Sequence, residues 1–289
     1  MEKNKKKLKI WFCRHAQSTR NLRHEMWAKQ NQGGKDPELE YTTNKEFLDA
    51  KLSSKGIEEA KKLAKFLIKE KIRYILVSPL IRSVQTTQIA LQEAHNVYNA
   101  NNDHSDLKDP NKNPHSVQIV KIIPELIEQA GLVSNMPFCL EETLKMMTDL
   151  DTSALNEAGE LFFLDYLEEE YREEFKTAFK SEDIEVLYDL IKIYGREVES
   201  KASRHKRARK CLVDIKNWVE EVSESQGREL RDGEVMVVGH GNWWRACQMQ
   251  DVEDYTDYPK TAPNNCEPFL IDVPYKGEDE SESESEESD

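Results

Sequence analysis

The chain has 289 residues and a net charge of −14 at pH 7, from 41 lysines and arginines against 55 aspartates and glutamates. This length suits one large domain or two modest ones. The acidic balance argues against general nucleic-acid binding, which needs basic surface to release counterions, so we expect no nucleic-acid partner.

The cysteines and the N-terminal residues bear on the cellular setting. The five cysteines are odd in number and widely spaced, which is typical of a reduced compartment. The apolar run after the basic first residues covers only 10–13, which is too short for a signal-peptide core or a membrane span. We therefore predict a cytoplasmic protein without a membrane partner, and a nuclear location stays open.

The N-terminal half alternates short apolar runs with stretches of helical spacing. In chain order the pattern predicts a strand over 8–13, a helix over 57–69, a strand over 74–77, a helix over 80–94 and a strand over 117–123. Ser53 or Ser54 is expected to cap the first of these helices. The segment 96–114 is rich in Asn, Asp, His and Pro and predicts an exposed loop.

The C-terminal half begins with a Glu-rich segment, about 140–198, whose apolar residues have helical spacing and predict a helical insertion. A long helix over about 200–223 and strands over 235–238 and 269–273 follow. Residues 277–289 are almost all Ser, Glu and Asp and predict a disordered tail. The whole pattern predicts a three-layer α/β/α fold, with a largely parallel sheet in one catalytic domain over 1–276.

Three polar segments stand directly after predicted strands. They are Arg14-His15, the residues 78–82, and Gly239-His240-Gly241. In open α/β sheets ligands bind at the carboxyl ends of the strands. We therefore expect these three segments to converge on one pocket.

Five motifs give this pocket a family resemblance. The chain resembles the histidine phosphatase superfamily (phosphoglycerate-mutase-like, branch 1), whose first motif commonly reads RHGESxxN. Here the matching segments are RHAQSTRN over 14–21, LSSKGIEEA over 52–60, SPLIRSVQT over 78–86, LIEQAG over 126–131 and VGHG over 238–241. Ala16 and Gln17 depart from the usual first motif without removing a charged group that the chemistry needs.

The resemblance implies that His15 attacks phosphorus and carries a phosphohistidine. An imidazole titrates near pH 6.5, so it is available as a neutral nucleophile at cytosolic pH. Glu128 would protonate the leaving alkoxide and then activate water, and Glu125 on the same loop is the alternative. As acid, the carboxyl group must be protonated when substrate arrives, and an anionic phosphate nearby would raise its pKa.

The same resemblance implies a cradle for the phosphate oxygens. Arg14 and Arg82 offer charged planar forks, Asn21 an uncharged donor, and His240 a further donor if it is protonated. We expect Arg14, Arg82 and His240 to act in catalysis as well as in binding. No metal-ligand spacing is present, so we predict no metal and no cofactor.

Three functions remain open at this point. The first is a metal-independent phosphomonoester phosphatase acting on a small phosphorylated substrate or a phosphoprotein. The second is a phosphoglycerate-type mutase, but Arg20-Asn21 and Ile127-Glu128-Gln129 stand where such mutases carry Trp-Asn and Asn-Glu-Arg. The third is a non-catalytic binding or scaffold protein with this fold. The basic residues between 201 and 210 are interpreted as a solvated helical face.

Overall fold

A computed structural model gives the structure of the chain. It describes the following residues: 8–33, 47–101, 117–130, 132–137, 140–146, 150–154, 161–180, 184–194, 198–227, 230–248 and 261–273.

A six-stranded sheet forms the centre of the described part. Its strands are β1 (Leu8–Arg14), β2 (Tyr74–Val77), β3 (Ile119–Ile122), β4 (Leu150–Asp151), β5 (Val235–Gly239) and β6 (Phe269–Val273). Their order is β4-β3-β2-β5-β1-β6, and all neighbours are parallel except β6, which pairs antiparallel with β1. The predicted α/β fold with a largely parallel sheet is confirmed.

Helices cover both faces of this sheet. They are α1 (Thr19–Gln30), α2 (Ser54–Glu70), α3 (Ile81–Asn101), α4 (Leu140–Lys145), α5 (Glu169–Lys180), α6 (Ile184–Tyr194), α7 (Lys201–Ser225) and α8 (Gly241–Cys247). Apolar residues of α2 and α3 pack on one face, and those of α7 and α8 pack on the other. The predicted three layers are therefore present.

The two central strands show how the sequence builds these layers. Every residue of β2 and β5 is buried. Successive side chains of a strand point to opposite faces. Accordingly Ile75 and Val77 join the cluster under α2 and α3, while Tyr74 and Leu76 join the cluster under α7 and α8. A strand buried on both faces therefore reads as a continuous apolar run rather than an alternating one.

The predicted helical insertion contains α4, α5 and α6 and shares the core of the sheet. Phe162, Phe163, Phe175 and Leu187 lie in the same buried cluster as the α2–α3 side of the sheet. The segment also supplies β4, which extends the sheet beyond β3 and which the Glu-rich pattern did not predict.

Helix α3 is longer than predicted, because it continues through the first residues of the segment interpreted as a loop. Polar pairs one turn apart lie along this extension: Gln92 with Asn96 at 3.2 Å and Asn99 with His95 at 2.8 Å. Side chains four residues apart are neighbours on a helix, so Asn and His can support it here despite their loop preference. The rest of that segment and the tail over 277–289 lie outside the described residues.

The interpretation of the basic residues on α7 as a solvated face is wrong for two of them. Lys201, Lys206 and Lys210 are exposed, but Arg204 and Arg207 are buried. Arg207 forms an ion pair with the fully buried Glu199. The helix therefore carries two charges into the interior, which simple charge patterning could not indicate.

Candidate active site

The carboxyl ends of two neighbouring strands bring the two motif histidines together. His15 follows β1 and His240 follows β5, and these strands are in register at Arg14 and Gly239. The backbone N–H of His15 donates to the Gly239 carbonyl at 3.0 Å. The two imidazole rings lie 5.0 Å apart between centroids, and both are buried.

Arg82 lies at the centre of the pocket. It is on the first turn of α3, and only 3% of the residue is exposed. Its guanidinium donates to acceptors from several parts of the chain: Nε2 of His15 (3.2 Å), the Ser134 carbonyl (2.6 Å), Oε2 of Glu128 (3.2 Å), Oδ1 of Asn135 (2.9 Å) and Nδ1 of His240 (3.3 Å). A permanently charged planar group thus fixes both histidines and one carboxylate.

The hydrogen bonds of His15 fix which ring nitrogen carries the proton. Nδ1 lies 2.7 Å from the Ala16 carbonyl, and a carbonyl can only accept, so Nδ1 bears the hydrogen. Nε2 accepts from Arg82, so it carries the lone pair. The backbone thereby orients Nε2 as the nucleophilic atom.

The His15 ring is neutral at cytosolic pH. Burial lowers its pKa well below the usual 6.5, and the nearby charge of Arg82 lowers it further. A ring that stays unprotonated keeps its lone pair available to attack an electrophile.

His240 is held in the opposite tautomer. Its Nδ1 faces Arg82, which can only donate, so Nε2 carries the hydrogen and donates to Oγ of Ser78 at 2.7 Å. Burial, then the charge of Arg82, lowers the pKa of His240 well below 6.5. In this arrangement Nδ1 becomes a donor to phosphate only if the ring gains a proton.

Glu128, rather than Glu125, faces the pocket. Its Oε2 accepts from Arg82, and its Oε1 accepts from the backbone N–H of Asn242 at 3.4 Å. Burial acts to raise the pKa of Glu128, but the charge of Arg82 outweighs it, and the pKa is lowered to about 2. Glu128 is therefore a carboxylate here. The charge of Glu125 instead acts on Tyr166 and on Cys211 of α7.

Arg14 and Asn21 are both half-buried, and Arg14 acts electrostatically on the pocket. Arg14 donates to the Pro263 carbonyl at 3.0 Å, and its charge lowers the pKa of Glu128. Asn21 belongs to the capping box of α1, in which Ser18 is the cap and Oδ1 of Asn21 accepts from the N–H of Ser18 at 3.2 Å. The carboxamide nitrogen is then the end of Asn21 that can donate to a phosphate.

The unusual Gln17 of the first motif is part of the support for His15. Its Oε1 accepts from Ser53 at 2.7 Å, and its backbone N–H donates to Glu59 at 2.8 Å. The start of α2 approaches so closely that a Cβ on Gly56 would lie 2.1 Å from the Gln17 carbonyl. Glycine at position 56 is thus required for helix α2 to support the loop after β1.

Several residues of the pocket had no recognisable signal in the sequence. Ser134 and Asn135 form a 3₁₀ turn and accept from Arg82, and Asn265 donates to the His15 carbonyl. Ser78 belongs to the motif over 78–86, but nothing in that motif predicts its hydrogen bond with His240. These contacts join segments that are far apart in the chain, so only the fold brings them together.

Among the residues that the structure describes, no group of three or more His, Cys, Asp or Glu side chains is placed to hold a metal ion. Within the same part of the chain, no helix combines the length and apolar character needed to cross a membrane. The expectation that no cofactor is needed stays a prediction.

The fold and the site define an α/β protein in which strand ends bring two histidines and one glutamate around a buried arginine. Residues 10–105 match the family model of the histidine phosphatase superfamily (branch 1), so the resemblance predicted from the motifs is confirmed. The match includes His15 and Arg82. Glu128 and His240 lie beyond it, and the fold places both beside Arg82. The family match supports an enzyme that transfers or hydrolyses phosphoryl groups.

Similar solved structures are also phosphatases by name. The ecdysone phosphate phosphatase of Bombix mori is 16% identical, with a TM-score of 0.47, over 91% of this chain and 88% of that one. The phosphoserine phosphatase of Entamoeba histolytica is 18% identical, with a TM-score of 0.40, over 91% and 89%. A mycobacterial glucosyl-3-phosphoglycerate phosphatase is 14% identical, with a TM-score of 0.43, over 91% and 90%. Comparison with curated proteins gives no significant match.

Proposed function

We propose that the protein is a phosphomonoester phosphatase that works through a phosphohistidine on His15. The observation that carries this proposal is the orientation of His15 Nε2, which bears the lone pair and faces the Arg82 guanidinium at 3.2 Å. A phosphoryl group held by Arg82 would lie within reach of that lone pair. Buried, strongly perturbed ionisable groups concentrated at one pocket favour an active site over a scaffold.

The first step forms the phosphohistidine. Nε2 of His15 attacks phosphorus, the bond between phosphorus and the ester oxygen breaks, and Glu128 gives its proton to the leaving oxygen. Arg82 and Arg14 balance the charge on the phosphoryl oxygens, with Asn21 and, once protonated, His240 as further donors. In the second step water attacks phosphorus, Glu128 takes the water proton, and the bond from phosphorus to Nε2 breaks.

The proton that Glu128 needs must arrive with the substrate. In the free protein the carboxyl group is ionised, because its pKa is about 2. A phosphate ester neutralises the charge of Arg82, which removes the main cause of this low pKa. A monoanionic ester carries the proton that Glu128 then holds.

The pH dependence of kcat/KM tests this proton balance. This constant reports ionisations of the free protein and the free substrate. We expect kcat/KM to fall tenfold per pH unit above the second pKa of the ester, about 6, and to be level just below it, because the pKa of His15 lies well below 6.5. An ester with a lower second pKa should shift the fall by the same amount. A fall on the acid side near pH 6.5 would contradict the lowered pKa of His15.

The intermediate itself tests the function. With a phosphorus-labelled aryl phosphate and EDTA present, we expect phosphate release and a chain-bound label that is acid-labile, alkali-stable and located on the peptide containing His15. Return of the label to another oxygen of an added phosphoglycerate, without phosphate release, would show the mutase instead. If no ester in a broad panel labels the chain and inorganic phosphate does not bind, the protein is a scaffold.

A further inference from the structure

One buried guanidinium, that of Arg207, binds the backbone of the loop that carries Glu128. Arg207 lies on α7, and 6% of the residue is exposed. Its Nη1 donates to the carbonyls of Glu125 at 2.6 Å and Ile127 at 2.9 Å, and its Nη2 donates to the carbonyl of Glu128 at 3.3 Å. One side chain thus binds three carbonyls within four consecutive residues.

Glu199 completes this restraint. Its carboxylate is fully buried, accepts from Nε of Arg207 at 2.8 Å and lies 2.7 Å from Nη2. Its other oxygen accepts from the backbone N–H of Ala130 at 2.8 Å. The ion pair therefore binds the loop on both sides of Glu128. The ring of Tyr166 lies against the guanidinium, with 4.8 Å between Arg207 Cζ and the ring centroid.

Stability alone does not account for such a pair. Removing two charges from water is costly, and well-packed apolar residues of similar volume often stabilise a protein as well or better. The loop has little regular structure, since its 3₁₀ turn covers only Pro124–Leu126. The planar guanidinium of Arg207 binds the carbonyls of this loop and so restricts the backbone at Glu128.

We propose that Arg207 and Glu199 are positioning residues that hold Glu128 where it can protonate the leaving group. This inference rests on the acid role of Glu128 in the proposed function. Arg207 acts through the backbone carbonyls of the loop, so it is a positioning residue and not a catalytic one.

Leaving-group dependence separates positioning from general damage. A poor leaving group, as in an alkyl phosphate, needs a proton from Glu128, whereas the leaving group of 2,4-dinitrophenyl phosphate does not. Arg207→Lys keeps the charge but loses the fork. We expect kcat/KM to fall about 10²-fold on the alkyl ester and less than about threefold on the dinitrophenyl ester, within the range typical of general acids. Glu128→Gln is the reference with the same selectivity.

Two further variants keep the test decisive. The double variant E199Q/R207Q removes one charge of each sign, so it leaves unchanged the net charge of the buried cluster, which also contains Arg204 at 3.8 Å from Glu199. It should show the same selectivity. Lys206→Gln changes an exposed cation on the neighbouring position of α7 and should leave both rates unchanged. Equal losses on the two esters in the Arg207 variants would overturn the inference, because they would indicate a merely structural role.

The outcomes also distinguish this inference from the proposed function. If Glu128→Gln shows no leaving-group selectivity, the acid role fails and the inference fails with it. If the wild-type protein hydrolyses neither ester, the proposed function fails. Hydrogen exchange of the Ala130 amide then tests separately whether the ion pair restrains the loop. Faster exchange in Arg207→Lys than in Lys206→Gln supports it, and equal exchange overturns it.

Discussion

Replacing His15 by glutamine is expected to lower the rate of phosphate release by about 10⁴-fold or more, the size of loss seen when a covalent nucleophile is removed. Glutamine can still accept a hydrogen bond from Arg82, so the cradle is preserved while the nucleophilic nitrogen is lost. Affinity for inorganic phosphate should therefore change by less than about tenfold, because Arg82 and Arg14 remain. Steady-state kinetics and calorimetric titration measure the two quantities.

His205 provides a matched control for this substitution. It is also a buried histidine, and its Nδ1 also lies near a backbone carbonyl, 2.8 Å from that of Ala246. His205 is on α7, and Ala246 is on α8. His205→Gln should cost stability of a similar kind but keep phosphate release within about threefold. Comparable loss of activity in both variants would mean that His15 acts through folding, and the nucleophile assignment would be wrong.

The sequence was sufficient for those parts of the site that depend on local pattern. A short apolar run such as 74–77 predicts a short buried element. The alternation of such runs with helices predicts a parallel sheet. Because parallel strands end at one edge, the positions of His15 and His240 after two of them already implied a shared pocket. Local chemistry also predicted a serine cap for α2 but left Ser53 and Ser54 open; the structure shows Ser53 as the cap, with its Oγ accepting from Gly56 N–H at 3.1 Å.

Long-range polar contacts could not be predicted in this way. Asn135 meets Arg82 across more than fifty residues, and Arg207 meets the Glu128 loop across about eighty. A charge on a helix is expected to be exposed to solvent unless its partner is known, and Glu199 directly follows a Glu-rich segment, where nothing marks it as buried. The protonation state of Glu128 was also out of reach, because it depends on the distance to Arg82 and not on the residue type.

Arg82→Lys is expected to lower kcat/KM by about 10³-fold even with a good leaving group. Lysine keeps the positive charge but replaces a planar fork with a single nitrogen, so it cannot meet His15, Glu128 and Asn135 together. Removing a preorganised donor to the transferring phosphoryl group typically costs 10²–10³-fold or more in rate. Because Arg82 also holds Glu128, the alkyl ester should lose at least as much activity as the dinitrophenyl ester, and the loss on the dinitrophenyl ester reports the phosphate donor alone.

Arg172→Lys is the control for the loss of an arginine fork. Arg172 donates to the carbonyls of Leu167 at 2.8 Å and Asp165 at 3.3 Å, at the start of α5. It should leave kcat/KM within about twofold. Inorganic phosphate should bind at least about tenfold more weakly to Arg82→Lys, whereas His15→Gln should retain its affinity for phosphate. Comparing the two variants therefore distinguishes phosphate binding by Arg82 from nucleophilic attack by His15. Unchanged phosphate affinity in Arg82→Lys would contradict the central place of Arg82, because its five hydrogen bonds would then serve only the free protein.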